Sequence, residues 1–235
     1  MSVPSAGSQL AQLDEAVHLG NLGRGTELYE AGDPADRVLI LREGRVKTWV
    51  HGPGGKHCLF QIVEPGEIFG EEGLVGGDVR SASAEVLERS AITMVPTRAA
   101  VRFAEETPEF WTGFADLLQK RVRRLEEQLQ WVSFLEVEQR IARLLLRWTQ
   151  DELAECVELR LSQKDLAGLI GATRETTSSA LNRLQRAGCI DIRRRCVAVR
   201  SYAGLRAHCG ELEQDRDHAV ALAPTPLDRV RAVGR

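Results

Sequence analysis

Apolar residues recur at alternating steps of four and three along residues 111–132, and this spacing constrains the fold more than any other feature of the chain. It is the heptad spacing, which places a narrow apolar stripe on one side of a helix. A helix that packs on its own domain usually has a wider stripe. The spacing therefore predicts a dimerisation helix and hinge over residues 111–135, paired with the same helix of a second chain. Packing within one chain is the alternative. The stripe consists of Trp111, Ala115, Leu118, Val122, Leu125, Leu129 and Val132.

Before this helix the apolar pattern is that of short strands. Between residues 22 and 98, runs rich in Val, Ile, Leu and Thr alternate with glycines, as in RVLILREG and RVKTWVHG. Short strands separated by glycine turns are typical of a small antiparallel barrel or roll. We therefore expect a β-roll domain over residues 9–110, after a flexible N-terminus at 1–8. The tail at 211–235 mixes charges, prolines and small residues without periodicity, and we expect it to be disordered.

The net charge of −3 conceals two regions of opposite sign. Residues 1–110 carry 10 basic and 17 acidic side chains, a net charge of −7. Residues 160–206 carry 10 basic and three acidic side chains, a net charge of +7. Positive charge of this density attracts a phosphate backbone. The alternative is a basic face that only contacts solvent.

The basic region has the pattern of a winged helix-turn-helix, which we assign to residues 136–210. The stretch LSQKDLAGLIGATRETTSSALNRLQRAGCI contains two helical patterns separated by Gly171. Ser162 and Asp165 are spaced as a capping box for the first helix, and Thr173 is a good N-cap for the second. This second helix, residues 174–187, is the predicted recognition helix. The segment IDIRRRCVAV at 190–199 has the alternation of a two-stranded basic wing.

The start of a recognition helix meets base edges in the major groove. Arg174 can donate twice to guanine, and Glu175 can accept from the amino group of cytosine. Short hydroxyl side chains beside them can reach bases or phosphates without holding the helix away from DNA. The alternative is a solvated helix turn with hydroxyls of no special role. The predicted base readers are Arg174, Glu175, Ser178 and Ser179, and the predicted phosphate contacts are Ser162, Thr173, Thr176, Thr177 and Arg183.

Other classes of protein find little support in the sequence. The N-terminus lacks the pattern of a secretory signal, and no apolar run approaches the ~20 residues of a membrane helix. We therefore expect a cytoplasmic protein.

The five cysteines form no CxxC motif, and we expect no metal site. The glycine-rich GPGGKH stretch does not fit a P-loop, because Val50 stands where the first glycine belongs and His57 follows Lys56. The sequence does not predict an enzyme. A nucleotide-binding regulatory module that does not touch DNA is the other alternative, but the basic region would then have no purpose.

Taken together, these motifs resemble the Crp–Fnr family of bacterial transcription regulators over residues 22–206. The resemblance rests on GDPADRVLILREGRVKTW, PGEIFGEEGLVGGDVRSASAEV, FLEVEQRIARLLL and LAGLIGATRETTSSALNRLQRAGCI. It implies an α+β fold with a cyclic-nucleotide-binding-type β-roll, a long coiled-coil dimerisation helix and a C-terminal winged helix-turn-helix. It also implies a homodimer on a two-fold symmetric TGT-type DNA site, in contact with RNA polymerase. Ser179 stands where relatives often carry an arginine.

The same resemblance implies a small-molecule effector, a cAMP-like cyclic nucleotide. Gly70 and Glu71 would contact the ribose, and Arg80 with Ser81 would contact the phosphate. Leu125 and Glu126 stand where the cAMP-responding relatives carry a Thr-Ser pair against the purine. Three alternatives remain: a Glu71–Arg80 pair that braces an empty roll, DNA binding without any effector, and haem bound through His57 or Cys58.

Overall fold

A computed structural model describes residues 5–53, 57–149, 158–159, 161–193 and 196–210. The N-terminal half is a roll of two four-stranded antiparallel sheets, ordered β1-β8-β3-β6 and β2-β7-β4-β5. Central strands such as β3 are buried along four consecutive residues, which is why they are nearly all apolar. The predicted roll is confirmed. Its strands are β1 Val17–Leu22, β2 Glu27–Tyr29, β3 Arg37–Glu43, β4 Val46–His51, β5 His57–Val63, β6 Ile68–Phe69, β7 Ser83–Val86 and β8 Ser90–Pro96.

The turn between β3 and β4 shows why glycines interrupt the strands. Gly44 has φ of 86°, a backbone conformation that favours glycine. A Cβ atom at this position would also collide with the carbonyl oxygen of Arg89. The tight connection between the two sheets therefore depends on the absence of a side chain at residue 44.

The N-terminus departs from the prediction of a flexible segment at 1–8. Helix α1 spans Ala6–Leu10, and the Ser5 side chain caps it by accepting from Ser8 N over 3.2 Å. Ala6 and Leu10 are buried in a cluster with Phe110 and Phe114. The prediction is therefore wrong for residues 6–8, because two apolar side chains anchor this short helix. Residues 1–4 and the predicted disordered tail at 211–235 lie outside the described residues.

Two helices follow the roll. Helix α2 spans Thr97–Glu106, and α3 spans Pro108–Phe134. Proline is favoured in the first turn of a helix because its missing N–H would have no partner there. The predicted long helix is confirmed, although it begins at Pro108 rather than at 111. None of the helices in the described ranges is both long enough and apolar enough to cross a membrane.

The C-terminal module is a winged helix-turn-helix. Its three-stranded sheet has the order β10-β11-β9, so the predicted two-stranded wing is confirmed and a third strand joins it. The wing residues 194 and 195 lie outside the described ranges. The elements are α4 Val137–Thr149, β9 Glu158–Leu159, α5 Gln163–Ile170, α6 Arg174–Arg186, β10 Ile190–Arg193, β11 Cys196–Val199 and α7 Tyr202–Ala207.

The roll packs directly against this module. Leu59 and Ile62 of β5 share one hydrophobic cluster with Leu166 and Leu169 of α5. Lys47 of β4 also donates to Asp165 Oδ1 over 2.8 Å, and both side chains are nearly buried. The β4–β5 hairpin therefore holds the first helix of the helix-turn-helix.

Candidate DNA interface and effector site

Local chain geometry fixes the position of the recognition helix. Gly171 ends α5 in the left-handed conformation with φ of 65°. Thr173 then caps α6, because its side chain accepts from Thr176 N over 3.2 Å. The inner face of α6 is fully buried at Ala180, Leu181 and Leu184. These three side chains fix the rotation of the helix and therefore decide which residues it presents to solvent.

The first turn of α6 presents the predicted base readers. Arg174, Glu175 and Ser179 are exposed, and Ser178 is half-buried. None of the described residues pairs with the charged groups of Arg174 or Glu175. The predicted phosphate contacts Thr173 and Thr176 are exposed beside them, with their hydroxyl oxygens 3.0 Å apart. The arrangement leaves two charged groups free to bind a ligand at the start of the helix.

Two further residues of this face were not predicted from the sequence. Asn182 and Arg186 are exposed, and with Glu175 and Ser179 they follow one another at steps of four, three and four. This spacing places all four on one side of a helix. The helical period could have identified them, because they lie opposite the buried residues. The exposed face of α6 thus extends along its whole length.

Three predicted phosphate contacts have other roles in the structure. Thr177 is fully buried, and its hydroxyl donates to Thr173 O over 2.8 Å, so this prediction is wrong. The Ser162 hydroxyl belongs to the capping box of α5, where it donates to Asp165 Oδ2 over 2.5 Å. Arg183 donates to the carboxylate of Glu138 on α4, so its Nε is already engaged within the protein.

In the wing, the carboxylate of Asp191 binds two arginines of the same module. Arg193 Nε and Arg200 Nη2 both donate to Asp191 Oδ2, over 3.2 and 3.0 Å. These hydrogen bonds hold the pKa of Asp191 below its usual value. Asp191 therefore stays ionised at neutral pH and orders two arginines at the base of the wing.

In the roll, the guanidinium of Arg80 points into the protein. Arg80 is 4% exposed and donates to Gly70 O over 2.5 Å and to Arg37 O over 2.6 Å. Its guanidinium also lies 4.4 Å from the centre of the Tyr29 ring. A Cβ at Gly70, which has φ of 62°, would lie only 2.6 Å from Nη1. Glycine at this position allows Arg80 to approach the backbone.

Ser81 and Arg80 share an acidic partner that the sequence did not predict. The Ser81 hydroxyl and backbone N–H donate to Glu72 Oε1 over 2.7 and 3.1 Å, and Arg80 Nη1 lies 3.4 Å from Glu72 Oε2. Burial alone would raise the pKa of Glu72. The hydrogen bonds from Ser81 and the charge of Arg80 outweigh burial and hold that pKa below its usual value. Glu72 is therefore an anion bound by both predicted phosphate contacts.

Glu71 pairs with a residue of α3 rather than with Arg80. Arg121 of α3 donates to the Glu71 carboxylate and, over 2.8 Å, to Ile68 O. The alternative of a Glu71–Arg80 pair is therefore wrong, because each residue has a different ionic partner. Burial raises the pKa of Glu71, against the opposing charge of Arg121. This ion pair connects the roll to α3.

The last two predicted effector contacts lie on α3. Leu125 is 43% exposed and lines a cavity of about 500 Å³ between β5, α3 and α4, together with Phe60 and Gln128. Neither Arg80 nor Ser81 lines this cavity. Glu126 is exposed on α3. Arg121, which donates to the predicted ribose contact Glu71, lines this cavity together with Leu125.

The two residues considered for haem lie on β5. The His57 ring packs against His51 and Trp49, with ring centroids 4.5 and 4.7 Å away. Cys58, the next residue, is exposed. Successive residues of a strand point to opposite faces, so this geometry brings no second ligand to His57 from Cys58. Within the described ranges, no three His, Cys, Asp or Glu side chains form a group that could hold a metal ion.

Comparisons with known proteins divide the chain at the same places as the fold. Residues 20–107 match the model of the cyclic nucleotide-binding domain. Residues 139–208 match the model of the Crp-like helix-turn-helix domain. The two matches cover the roll and the winged module, respectively.

Similar proteins are bacterial transcription regulators. The transcriptional regulatory protein btr of Bordetella pertussis is 30% identical over 211 residues, covering 87% of this chain and 86% of that protein. A CRP-like cAMP-activated global transcriptional regulator of Mycobacterium tuberculosis is 28% identical over 197 residues, covering 82% and 88%. Among solved structures, a CRP-family transcriptional regulator of Thermus thermophilus is 25% identical with a TM-score of 0.70, covering 82% of this chain and 97% of that one.

Proposed function

Because the chain belongs to the Crp–Fnr family of transcription regulators, we propose that it binds a two-fold symmetric DNA site as a homodimer. The protein is a regulator rather than an enzyme. The observation that carries the proposal is the first turn of α6, where Arg174 and Glu175 are exposed without partners among the described residues. A dimer presents two such turns, and two-fold symmetry of the protein then requires two-fold symmetry of the site.

The apolar stripe of α3 supports the dimer. Four of its members, Val122, Leu125, Leu129 and Val132, are 43 to 67% exposed in the single chain. A regular stripe of large apolar side chains in water is unfavourable, and pairing with a second α3 buries it. A second copy of the chain carries the same heptad stripe on its own α3, so the two stripes can pack against each other.

The base readers follow from side-chain chemistry. Arg174 donates to O6 and N7 of a guanine, and Glu175 accepts from a cytosine amino group, which fits a TGT-type half-site and its complement. Ser178 and Ser179 are short enough to approach the neighbouring bases. Further along α6, Asn182 and Arg186 bind the phosphate backbone, because the C-terminal part of a recognition helix leaves the base edges.

The roll is the proposed sensor, with a cAMP-like nucleotide as effector. The match to a cyclic nucleotide-binding domain supports this assignment, as does the M. tuberculosis relative that is described as cAMP-activated. The ion pair between Glu71 and Arg121 gives a physical route from the roll to α3. DNA binding without a small-molecule effector is the second candidate. In either case the protein acts on RNA polymerase in the cytoplasm, as the family resemblance implies.

DNA binding with and without nucleotide tests the proposal. Calorimetry with cAMP and cGMP measures effector binding, and anisotropy of a labelled DNA site with TGT half-sites measures DNA binding. We expect nanomolar DNA binding that changes with cAMP. DNA binding that is equally tight without any nucleotide, together with no calorimetric signal at millimolar nucleotide, would favour the effector-free candidate.

A matched pair of variants tests the base reader. Arg174→Ala should cost about 1–3 kcal/mol on the matching site and abolish the preference for guanine at one position of each half-site. Arg186→Ala, which removes the same charge from the same helix, should weaken binding to all sequences equally. Equal weakening across sequences by Arg174→Ala would make Arg174 a phosphate contact.

A further inference from the structure

Three donors from two neighbouring residues converge on one carboxylate in the roll. These are the Ser81 hydroxyl, the Ser81 backbone N–H and the Arg80 guanidinium, at 2.7, 3.1 and 3.4 Å from Glu72. We call Arg80 and Ser81 the anion cradle. A guanidinium, a hydroxyl and a backbone N–H are also the donors that proteins use to bind a phosphate group. In this molecule the chain itself supplies the anion.

Glu72 does not provide a hydrogen-bond acceptor for every donor of the anion cradle. The Arg80 side chain is 3% exposed, yet its Nε has no acceptor among the described residues. The contact of Nη1 with Glu72 is also long for a charge-assisted hydrogen bond. Buried donors rarely remain without an acceptor. A cyclic phosphate has two non-ester oxygens that share one negative charge, and two ester oxygens, so it offers the cradle more acceptors than a carboxylate does.

We propose that Glu72 is an internal ligand of the anion cradle and that a nucleotide phosphate binds there only by displacing it. This inference rests on the proposed effector function of the roll. A carboxylate and a phosphate repel each other at contact distance, so the cradle holds one of them at a time. The affinity of the wild-type protein for a cyclic nucleotide is therefore lowered by the free energy needed to displace Glu72 from the cradle.

Displacement of Glu72 also moves a segment that contacts both helices behind the roll. Glu72 begins a short 3-10 helix, Glu72–Val75. A Cβ at the next residue, Gly73, would lie 2.7 Å from the Thr97 side chain of α2, so this segment packs tightly. On the other side Glu71 holds Arg121 of α3. Exchange of Glu72 for a phosphate thus acts at the junction between the roll and the dimerisation helix.

Calorimetric titration of the full-length protein with cAMP tests the proposal. Glu72→Gln and Glu72→Ala should each bind cAMP at least about tenfold more tightly than the wild type, because the competing charge is gone. Glu72→Gln keeps the shape of the side chain and maintains the test if Glu72→Ala does not fold. Glu67→Gln is the matched control, because Glu67 is a nearby carboxylate of the roll, directly before β6, but pairs with Arg124 over 2.8 Å. It should leave the cAMP affinity unchanged.

A further variant locates the bound phosphate. Ser81→Ala in the Glu72→Gln background should reduce the gained affinity at least about fivefold, because one phosphate donor is lost. Equal cAMP affinity of the wild type and both Glu72 variants would overturn the proposal. So would the absence of cAMP binding in all of them, or insensitivity of the double variant to loss of the Ser81 hydroxyl.

DNA anisotropy on the same samples separates this inference from the proposed function. If the Glu72 variants bind DNA but none gains affinity for cAMP, the internal-ligand proposal fails and the DNA-binding function stands. If the folded wild type binds no DNA with or without cAMP, the proposed function fails. Tighter cAMP binding by the Glu72 variants would support the internal ligand in either case.

Discussion

At the scale of single residues, the neighbouring Thr176 and Thr177 differ in burial. The hydroxyl of Thr177 is buried and donates to Thr173 O over 2.8 Å, whereas Thr176 is exposed beside the helix start. We expect Thr177→Val to lower the free energy of unfolding by about 1 kcal/mol, the net value of one hydrogen bond, and to leave DNA affinity unchanged. Urea denaturation and DNA anisotropy measure the two effects.

The matched variant Thr176→Val should show the reverse result. Its side chain is exposed, so the free energy of unfolding should change by less than about 0.5 kcal/mol. DNA affinity should fall, because a hydroxyl near the phosphate backbone is lost. A loss of DNA affinity in Thr177→Val at full stability would restore Thr177 as a phosphate contact.

The sequence predicts which residues of α6 are exposed better than it predicts the ionic partners of charged residues in the roll. Arg174 and Glu175 lie where the helix start predicted them. The position of Thr177 could also have been predicted, because it precedes the buried Ala180 and Leu181 by three and four residues. The pairing of Glu72 with Arg80 could not have been predicted in this way. Whether Arg80 meets residue 71 or 72 depends on how the turn at Gly70 directs two adjacent side chains, which is a matter of tertiary geometry.

At the scale of elements, Asp165 joins the start of α5 to the roll. It completes the capping box with Ser162 and accepts from Lys47 over 2.8 Å. Burial would raise the pKa of Asp165, but hydrogen bonds from Lys47 and Ser162 outweigh it and hold the pKa below its usual 3.8. A carboxyl with a lowered pKa in the folded state contributes stability above its usual pKa and loses it as pH falls.

We therefore expect Asp165→Asn to destabilise the protein by about 2 kcal/mol at pH 7, since hydrogen bonds to a charged group are lost. The difference from the wild type should shrink as pH falls below about 4, because Asp165 of the unfolded chain is then protonated while the folded protein still holds it ionised. Urea denaturation from pH 7 to 3.5 measures this. Asp191→Asn is the control, because Asp191 is a surface partner of Arg193 and Arg200 and its loss should change stability much less than the loss of Asp165. A difference that stays constant with pH would exclude a charge effect at Asp165.

Long periodic elements were predictable and short ones were not. The heptad spacing predicted α3, and glycine-bounded apolar runs predicted the roll. Helix α1 has five residues and strand β9 has two, too few for any periodicity to appear. Such elements form because tertiary contacts hold them, as the burial of Ala6 and Leu10 against α3 illustrates. The docking of β5 on α5 depends on similar contacts between residues about a hundred positions apart.

At the scale of the whole molecule, the roll and the helix-turn-helix module carry opposite net charges. Residues 1–110 have a net charge of −7, and residues 160–206 have a net charge of +7. DNA therefore repels the roll and attracts the helix-turn-helix, which orients the protein during encounter. In the proposed homodimer, two helix-turn-helix modules add their contacts to DNA, and the apolar stripe of α3 joins them. The function of the assembly then depends on that stripe.

Leu129→Glu tests this dependence. Leu129 is 67% exposed in the single chain, so the substitution should leave the fold and its circular dichroism intact while placing two like charges in the seam of a dimer. We expect a monomer by light scattering and a loss of DNA affinity of at least about hundredfold, because each half-site is then bound separately. Gln130→Glu adds the same charge to the next residue, about 100° around the helix and off the stripe, and should remain a dimer with full affinity. A dimeric Leu129→Glu protein would instead place the stripe against its own chain.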